Sequence, residues 1–372
     1  MASSLAFIGF VLVLATLLDA FEVVLLPRPV RRRFRVNRFF FRWAWAAWSW
    51  TAMRFPRGRR REDFIGVFGP LSMVSLFSTW AIFLIVGFGL LHWALQLITG
   101  SLPMISVTEA MVVSGDAFFT LGYGDVVPHH ASGRLLVILE AGTGFGFIAL
   151  IIAYLPVLYQ HFSRRDYQLI DLSARAGTPP TAEALLQWHA AAGDLNALTQ
   201  WLRDWEIWAS DLVESHSAYP MLAFYRSQHE GHSWLAALSV VLDTCSLIIS
   251  NARDGGPPQA AATFSAAQRV LNVVMGSLEV KRLDGADQPV TVLASSSTAC
   301  ALEALMPGST RDSEATACLV RLQGAYRPSV LALSDYLLIP LPVQLTTTPG
   351  VRTLESRSQV VNQLTERGLY ED

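Results

Sequence analysis

The sequence predicts an all-helical membrane protein with a large, mainly helical domain after its last membrane span, and three observations support this fold class. Of the 372 residues, 52% are hydrophobic, and the mean hydropathy of +0.36 is high for a soluble protein. Three segments are long and apolar enough to cross a bilayer as helices, which takes about 20 residues each. After the third segment, apolar residues recur mostly at helical spacing.

The three predicted transmembrane helices run from about Ser4 to Leu26, from Phe64 to Ile98 and from Arg134 to Tyr159. The first is interpreted as a retained anchor, because it begins without a charge and a dense arginine run follows it. Its two acids, Asp19 and Glu22, are interpreted as partners of nearby arginine side chains.

Positive charge is concentrated beside the predicted spans. Twelve of the 28 basic residues lie between Arg28 and Arg61, where no acidic residue occurs, and Arg164 and Arg165 follow the third span. Cytoplasmic flanks of membrane spans carry the positive excess. We therefore expect a multi-pass protein of the cell (inner) membrane with its N-terminus outside and its C-terminal domain in the cytoplasm.

An aromatic segment from Phe39 to Trp50 lies between the first two spans. Seven aromatic residues in twelve, beside arginines, are typical of a helix at the membrane interface. The basic residues from Arg28 to Arg61 are candidates for binding anionic lipid headgroups, at roughly 1 kcal/mol per side chain. The alternative is an ordinary topology anchor with an aromatic belt.

The loop between the second and third spans contains the sequence Thr120-Leu121-Gly122-Tyr123-Gly124-Asp125. A cation filter replaces the water shell of an ion with rings of backbone carbonyl oxygens. Pointing successive carbonyls at one axis needs conformations that favour glycine at alternate positions, which Gly122 and Gly124 provide. Upstream, Ser106 and Glu109 are suited to begin a short helix, whose negative C-terminal end favours a cation at the loop.

These residues, preceded by Phe119, resemble the filter motif of the potassium channel family, and the resemblance to its two-helix-plus-pore-loop module covers residues 64–160. Leu121 stands where the family more often has Val or Ile. The resemblance implies that K+ is coordinated by the carbonyls of Thr120, Leu121, Gly122 and Tyr123, with Asp125 at the outer mouth. Because the chain contains one such segment, a closed ring implies a homotetramer.

The resemblance continues in the third span, where Gly144 falls at the family's hinge-glycine position. Helical spacing places Phe145, Ile148, Ile152 and Pro156 on one stripe, which in the family lines the inner pore. Pro156 also removes a backbone hydrogen bond, so it is a candidate gate near the cytoplasmic end. The alternative is that this stripe faces lipid or other helices.

Two acids are candidates for supporting the filter. Asp116 lies four residues before Thr120, where many family members carry a carboxylate that bonds to the aspartate matching Asp125. We expect Asp116 and Asp125 to share a proton and to make inactivation sensitive to pH; the alternative is that Asp116 faces water. Glu140 lies inside the third span, where a carboxylate is costly, and we expect it to face the pore helix.

The chain is predicted to divide into an N-terminal anchor with its interfacial segment, a pore module and a cytoplasmic helical domain, at residues 1–63, 64–161 and 162–372. Within the last part, the predicted helices include Ala182–Ala192, Leu195–Val213 and Ser233–Ala252. Three histidines there are weak candidates for a metal site and are more typical of packing or subunit contact: His216, His229 and His232.

Several motifs are absent from the sequence. It has no Gly-x-Gly-x-x-Gly after a predicted strand, no phosphate-binding loop and no regularly spaced arginine helix. We expect no enzymatic activity, no cofactor, no metal besides permeant K+ and no nucleic-acid partner. The leading hypothesis is passive K+ conduction, with an unknown ligand or protein acting on the cytoplasmic domain. The alternative is a poorly conducting, channel-like sensor or scaffold that signals through that domain.

Overall fold

A computed structural model of the chain describes residues 1–24, 36–56, 58–100, 106–128, 130–229, 231–252, 256–283, 296–309 and 313–341. Every regular element in these ranges is helical, which confirms the predicted fold class. The first part of the arginine run, from Arg28 to Arg35, lies outside the described residues, and so does Arg57.

The described residues of the N-terminal half contain five helices: α1 (Ala2–Val24), α2 (Val36–Ala52), α3 (Arg59–Thr99), α4 (Val107–Phe118) and α5 (Ala131–Ala176). The second and third predicted spans fall within α3 and α5, and the first falls within α1 as far as Val24, with its last two residues outside the described ranges. At 41 and 46 residues, α3 and α5 are much longer than the roughly 20 residues that cross a bilayer. Both helices therefore continue from the membrane into the C-terminal domain.

Helix α1 runs antiparallel along α3 and packs closely against it. A Cβ atom added at Gly9 would lie 2.7 Å from the Gly87 carbonyl oxygen, so glycine is needed for this approach. Further along the pair, Trp80 Nε1 donates a hydrogen bond of 2.9 Å to Asp19 Oδ2. The acid that was expected to bind an arginine thus bonds to a tryptophan of the neighbouring helix.

Six α-helices and a short 3-10 helix follow α5: α6 (Ala182–Ala192), α7 (Leu195–Ala218), the 3-10 helix Pro220–Phe224, α8 (Trp234–Asn251), α9 (Pro258–Leu278), α10 (Ser296–Leu305) and α11 (Ser313–Leu337). Helix α6 has the predicted bounds, because Thr181 caps its first turn and Gly193 ends it in a left-handed conformation. Helix α7 continues five residues beyond its predicted end at Val213.

Four helices in the described ranges are long and apolar enough to cross a membrane: α1, α3, α5 and α8. The apolar window of α8 is 89% buried within the chain. It also carries Asp243, which accepts hydrogen bonds from Tyr326 and Arg327 of α11. This burial favours α8 as the central helix of the C-terminal domain, and the count of three spans stays a prediction.

The aromatic helix α2 has two different faces. On one face, Trp45 is only 3% exposed and its Nε1 donates a hydrogen bond of 3.0 Å to the Tyr336 carbonyl. On the same side, Trp48 stacks on Phe64 with 4.4 Å between ring centroids. The other face exposes a helical stripe of large apolar side chains: Phe39, Trp43, Trp50 and Met53. The segment that was predicted to lie at the membrane interface is therefore also part of the C-terminal domain's core.

The C-terminal part of α5 is joined by hydrogen bonds to the segment around the 3-10 helix. The buried Arg165 guanidinium donates hydrogen bonds of 2.8 Å to the carbonyls of Leu222 and Tyr225. Trp208 Nε1 donates one of 3.2 Å to the Arg165 carbonyl. These bonds connect the C-terminal part of α5 to the 3-10 helix and to α7.

Candidate functional site

The pore helix α4 begins with two reciprocal hydrogen bonds. Ser106 Oγ accepts from the Glu109 backbone N–H at 3.2 Å, and Glu109 Oε2 accepts from the Ser106 N–H at 2.6 Å. This capping box satisfies backbone donors that the first turn would leave unpaired, which fixes where the helix begins. The helix predicted from Ser106 and Glu109 is confirmed.

The backbone alternates in handedness along the candidate filter. Thr120, Gly122 and Gly124 have φ angles of 52°, 74° and 75°, whereas Leu121 and Tyr123 lie between them with negative φ. A left-handed conformation at every second residue is what glycine allows at low cost. Alternating hands turn successive carbonyls toward one side of the strand, so this geometry matches the backbone role predicted for Gly122 and Gly124.

Asp116 bonds to the backbone of the candidate filter, and not to Asp125 as expected. Its Oδ1 accepts a hydrogen bond of 3.0 Å from the Tyr123 backbone N–H. Among the described side chains, no hydrogen bond joins Asp116 to Asp125, and Asp125 is exposed. In the single chain the extended backbone of the candidate filter offers no acceptor to the Tyr123 N–H, so the Asp116 carboxylate accepts its hydrogen bond instead.

Glu140 of α5 is 0% exposed and faces both other helices of the pore module. Its Oε2 lies 2.8 Å from His92 Nε2 of α3, and its Oε1 forms a hydrogen bond with Ser114 Oγ of α4. Ser114 Oγ also donates to the Ile85 carbonyl at 2.7 Å. The Glu140 side chain was expected to face the pore helix, and its contact with Ser114 of α4 agrees with this.

Gly144 is one helical turn beyond Glu140 and faces the end of the pore helix. A Cβ atom added there would lie 2.0 Å from the Phe118 carbonyl oxygen, a separation that real atoms do not adopt. Helix α5 runs without interruption through this position. The glycine predicted to be a hinge is therefore required in this structure for close contact between α5 and α4.

The predicted pore stripe of α5 is exposed in the single chain. Phe145 and Ile152 are 71% and 67% exposed, and Ile148 and Pro156 are exposed as well. The filter side chain of Tyr123 is 70% exposed in the single chain. These apolar surfaces are not covered by the described part of their own chain.

The three tail histidines do not form a metal site in the described residues, where no group of three candidate ligands occurs. His216 is buried, and its Nδ1 lies 3.0 Å from the Leu212 carbonyl. Burial, reinforced by the positive charge of Arg165, lowers the pKa of His216 to about 3. The rings of His229 and His232 are 5.8 Å apart.

Sequence reasoning missed His92 and Ser114 as partners of Glu140. His92 was visible as an ionisable side chain within a span that has no formal charge, which is a signal for a functional residue. Ser114 offered no such signal, because a serine in a helix ordinarily bonds to its own backbone.

Residues 71–160 match the family model described as "Ion channel". Over 203 residues the chain is 26% identical to the "Uncharacterized membrane protein YdjJ" of Bacillus subtilis (strain 168), a match that covers 53% of this chain and 57% of that protein. No solved structure matches the chain significantly.

The family match supports an ion-channel-like module at residues 71–160. The chain is an ion-channel-like membrane protein. The matched residues include α4, the candidate filter segment, the buried Glu140 cluster and the exposed stripe of α5.

Proposed function

We propose that this chain is one subunit of a homotetrameric channel that conducts K+ passively and selectively across the cell membrane. The observation that carries the proposal is the alternating backbone of the filter, with positive φ at Thr120, Gly122 and Gly124. Such a strand offers carbonyl oxygens from Thr120 to Tyr123 to a dehydrated cation, and Asp125 stands at the outer mouth. Conduction of this kind needs no cofactor and no catalytic group.

Two features support the tetramer. Each chain has one filter segment, so several copies are needed to surround an ion. The exposed stripe of Phe145, Ile148, Ile152 and Pro156 gives each copy an apolar wall for a central cavity. The occupants we propose for the uncovered faces of the pore module are therefore three further copies of the same chain.

The proposed orientation has the N-terminus and the filter outside and the C-terminal domain in the cytoplasm, in line with the arginine distribution. We also propose that the exposed face of α2 meets the anionic inner leaflet. Arg54 lies over the Trp50 ring at 3.4 Å, which places a cation beside an amphipathic aromatic.

Gating is proposed to involve the cytoplasmic end of α5, near Pro156, where Arg165 joins it to the C-terminal domain. A ligand or protein that shifts this domain has a direct path to the inner helix. A thermal-shift screen of candidate ligands on the whole chain would identify a small-molecule partner.

The function is tested by reconstituting the purified chain into liposomes with an outward K+ gradient. Potassium flux that barium blocks, and no flux under an equivalent Na+ gradient, is the expected result. Gly122→Ala is the informative variant, because its Cβ atom has free space in the single chain while the alanine backbone must adopt a φ of 74°. Its expected loss of flux reports backbone strain rather than a clash.

Gly115→Ala serves as the matched control, since this pore-helix glycine also has free space and is helical. It is expected to retain flux. A folded wild-type tetramer without flux would favour the alternative of a channel-like sensor, and equal Na+ and K+ flux would contradict selectivity.

A further inference from the structure

The cluster of Glu140, His92 and Ser114 contains three hydrogen-bond contacts that determine where its hydrogen atoms lie. Glu140 touches His92 Nε2 and Ser114 Oγ, and Ser114 Oγ also touches the Ile85 carbonyl oxygen. A carbonyl oxygen only accepts, so the Ser114 hydroxyl hydrogen is used in the contact with Ile85. The Ser114 oxygen is then left as an acceptor for Glu140.

Glu140 must therefore supply the hydrogen of its contact with Ser114. The third contact is completed by a neutral His92 that donates from Nε2 to Glu140 Oε2, at 2.8 Å. An ionised carboxylate would leave one of the three contacts without a hydrogen, at a site where Glu140 and Ser114 are both 0% exposed. Buried polar groups without partners are costly, so the neutral arrangement is the one that satisfies every atom.

We infer that Glu140 is a protonated positioning residue that locks the pore helix between the outer and inner helices. This inference rests on the proposed function, because the object it positions is the filter. Ser114 and Phe118 of α4 are one turn apart, and so are their contacts on α5, Glu140 and Gly144. The lock and the glycine contact together hold the end of α4 two residues before Thr120.

The lock predicts that conduction falls as the pH rises, since removal of the Glu140 proton breaks its bond to Ser114. In the described part of the module, His92 is the charged or titratable group that acts on Glu140. Asp116, also on α4, bonds to the Tyr123 N–H, and Asp19 of α1 bonds to Trp80. The pH response is therefore assigned to Glu140.

The discriminating variant is Glu140→Gln. A glutamine amide donates to Ser114 Oγ and accepts from His92, which reproduces all three hydrogen bonds without a proton that can leave. In liposomes over a pH series from mildly acidic to alkaline, wild type is expected to lose K+ flux at the alkaline end. Glu140→Gln is expected to keep wild-type flux at neutral pH and to show a flat profile.

Glu140→Leu and Ser114→Ala break the lock, and each is expected to reduce flux about ten-fold or more, as expected when a buried polar partner is left unpaired. Asp63→Asn, an exposed acid near the start of α3, is the matched control and should leave both flux and pH profile unchanged. A Glu140→Gln protein as impaired as Glu140→Leu would overturn the inference, because an ionised pair would then be required.

A second readout does not depend on conduction. The infrared spectrum of the whole wild-type chain at neutral pH should contain a protonated-carboxyl band. This band should be missing from the spectrum of Glu140→Gln and present in that of Asp63→Asn. The proposed function would fail, and the lock would stand, if the wild type kept this band but conducted no K+. In that case Glu140→Gln should be as thermally stable as wild type, and Glu140→Leu should be less stable. Absence of the band would overturn the lock whatever the flux.

Discussion

Helices α5 and α8 are both apolar enough to cross a membrane, yet their surroundings within the chain are opposite. The apolar window of α5 is 17% buried, and that of α8 is 89% buried. Helix α5 has one face against its own chain, with Glu140 and Gly144, and leaves the other face uncovered. Helix α8 is enclosed on all sides by the C-terminal domain.

The difference shows that hydropathy reports how apolar a helix is and not what covers it. An apolar helix whose own chain covers it belongs to a domain core, because lipid is not needed to remove it from water. An apolar helix left bare has to meet lipid, another subunit or a pore. A substitution in the buried C-terminal domain around α8 should lower the stability of that domain, and a substitution at α5 should impair flux while that domain stays folded.

The largest effect is expected at the buried acid of α8. Asp243→Ala removes the acceptor for Tyr326 and for Arg327, whose Nη2 lies 3.4 Å from Oδ1. Leaving a buried charge without its partner costs roughly 3–5 kcal/mol, so the C-terminal domain should unfold at markedly lower temperature. Limited proteolysis during a thermal series measures this directly.

Asp335→Ala, an exposed acid on α11, is the matched control and should change stability by less than about 0.5 kcal/mol. If Asp243→Ala were equally harmless, α8 would not lie in a domain core, and its place as a fourth span would have to be considered.

On the α5 side, Gly144→Ala forces a Cβ atom into the Phe118 carbonyl, at 2.0 Å before relaxation. Overpacking of this kind costs roughly 1–3 kcal/mol, and it should displace the end of the pore helix. We expect loss of K+ flux with the C-terminal domain still folded. Gly142→Ala has free space in the single chain and should keep flux, so equal results for both variants would contradict a close contact at Gly144.

A pH effect is expected in the C-terminal domain. The folded His216 has a pKa of about 3, lowered by burial and then by the charge of Arg165. The unfolded chain has a histidine pKa near 6.5, so it binds more protons than the folded chain between these values. Domain stability should therefore fall as the pH drops below about 6.5, by at most about 1.4 kcal/mol per pH unit from this residue.

Unfolding of wild type and His216→Gln across this pH range measures the effect. The variant should lose part of the pH dependence and not all of it, because burial also lowers the pKa of His189. His130→Gln, at an exposed position, should leave the dependence unchanged. A slope that His216→Gln does not reduce would show that His216 is not kept neutral.

The smallest effect is expected where the two regions meet. Trp45→Phe keeps a ring in the core but removes the hydrogen bond to the Tyr336 carbonyl, which costs about 0.5–1.5 kcal/mol. Trp43→Phe, on the exposed face of α2, should leave domain stability unchanged and weaken retention of anionic lipid instead. Anionic lipid retained by the detergent-solubilised chain and thermal unfolding separate the two; the same response from both variants would contradict a two-faced α2.

The parts of the fold that sequence predicted well are those determined by neighbouring residues. Ser106 and Glu109 cap α4 within one turn, and Gly122 and Gly124 set the filter backbone locally. The bounds of α6 followed from a similar cap at Thr181.

The missed features depend on contacts between residues far apart in the chain. Trp45 bonds to a carbonyl 291 positions away, so no local pattern distinguishes its buried face from a lipid-facing one. Ser114 and Glu140 are 26 positions apart on different helices, and their contact depends on how α4 fits between α3 and α5. The partner of Asp116, the Tyr123 N–H, depended on which donor the folded loop leaves unpaired.

The central claim is that backbone oxygens of Thr120, Leu121, Gly122 and Tyr123 select potassium. The most direct test is the reversal potential of single channels of the full-length chain in a planar bilayer, with K+ on one side and Na+ on the other. The account predicts a reversal potential far from zero, with the sign expected when K+ is much more permeant than Na+, and a loss of current in Gly122→Ala. A reversal potential near zero, which means equal permeability to the two ions, would contradict it.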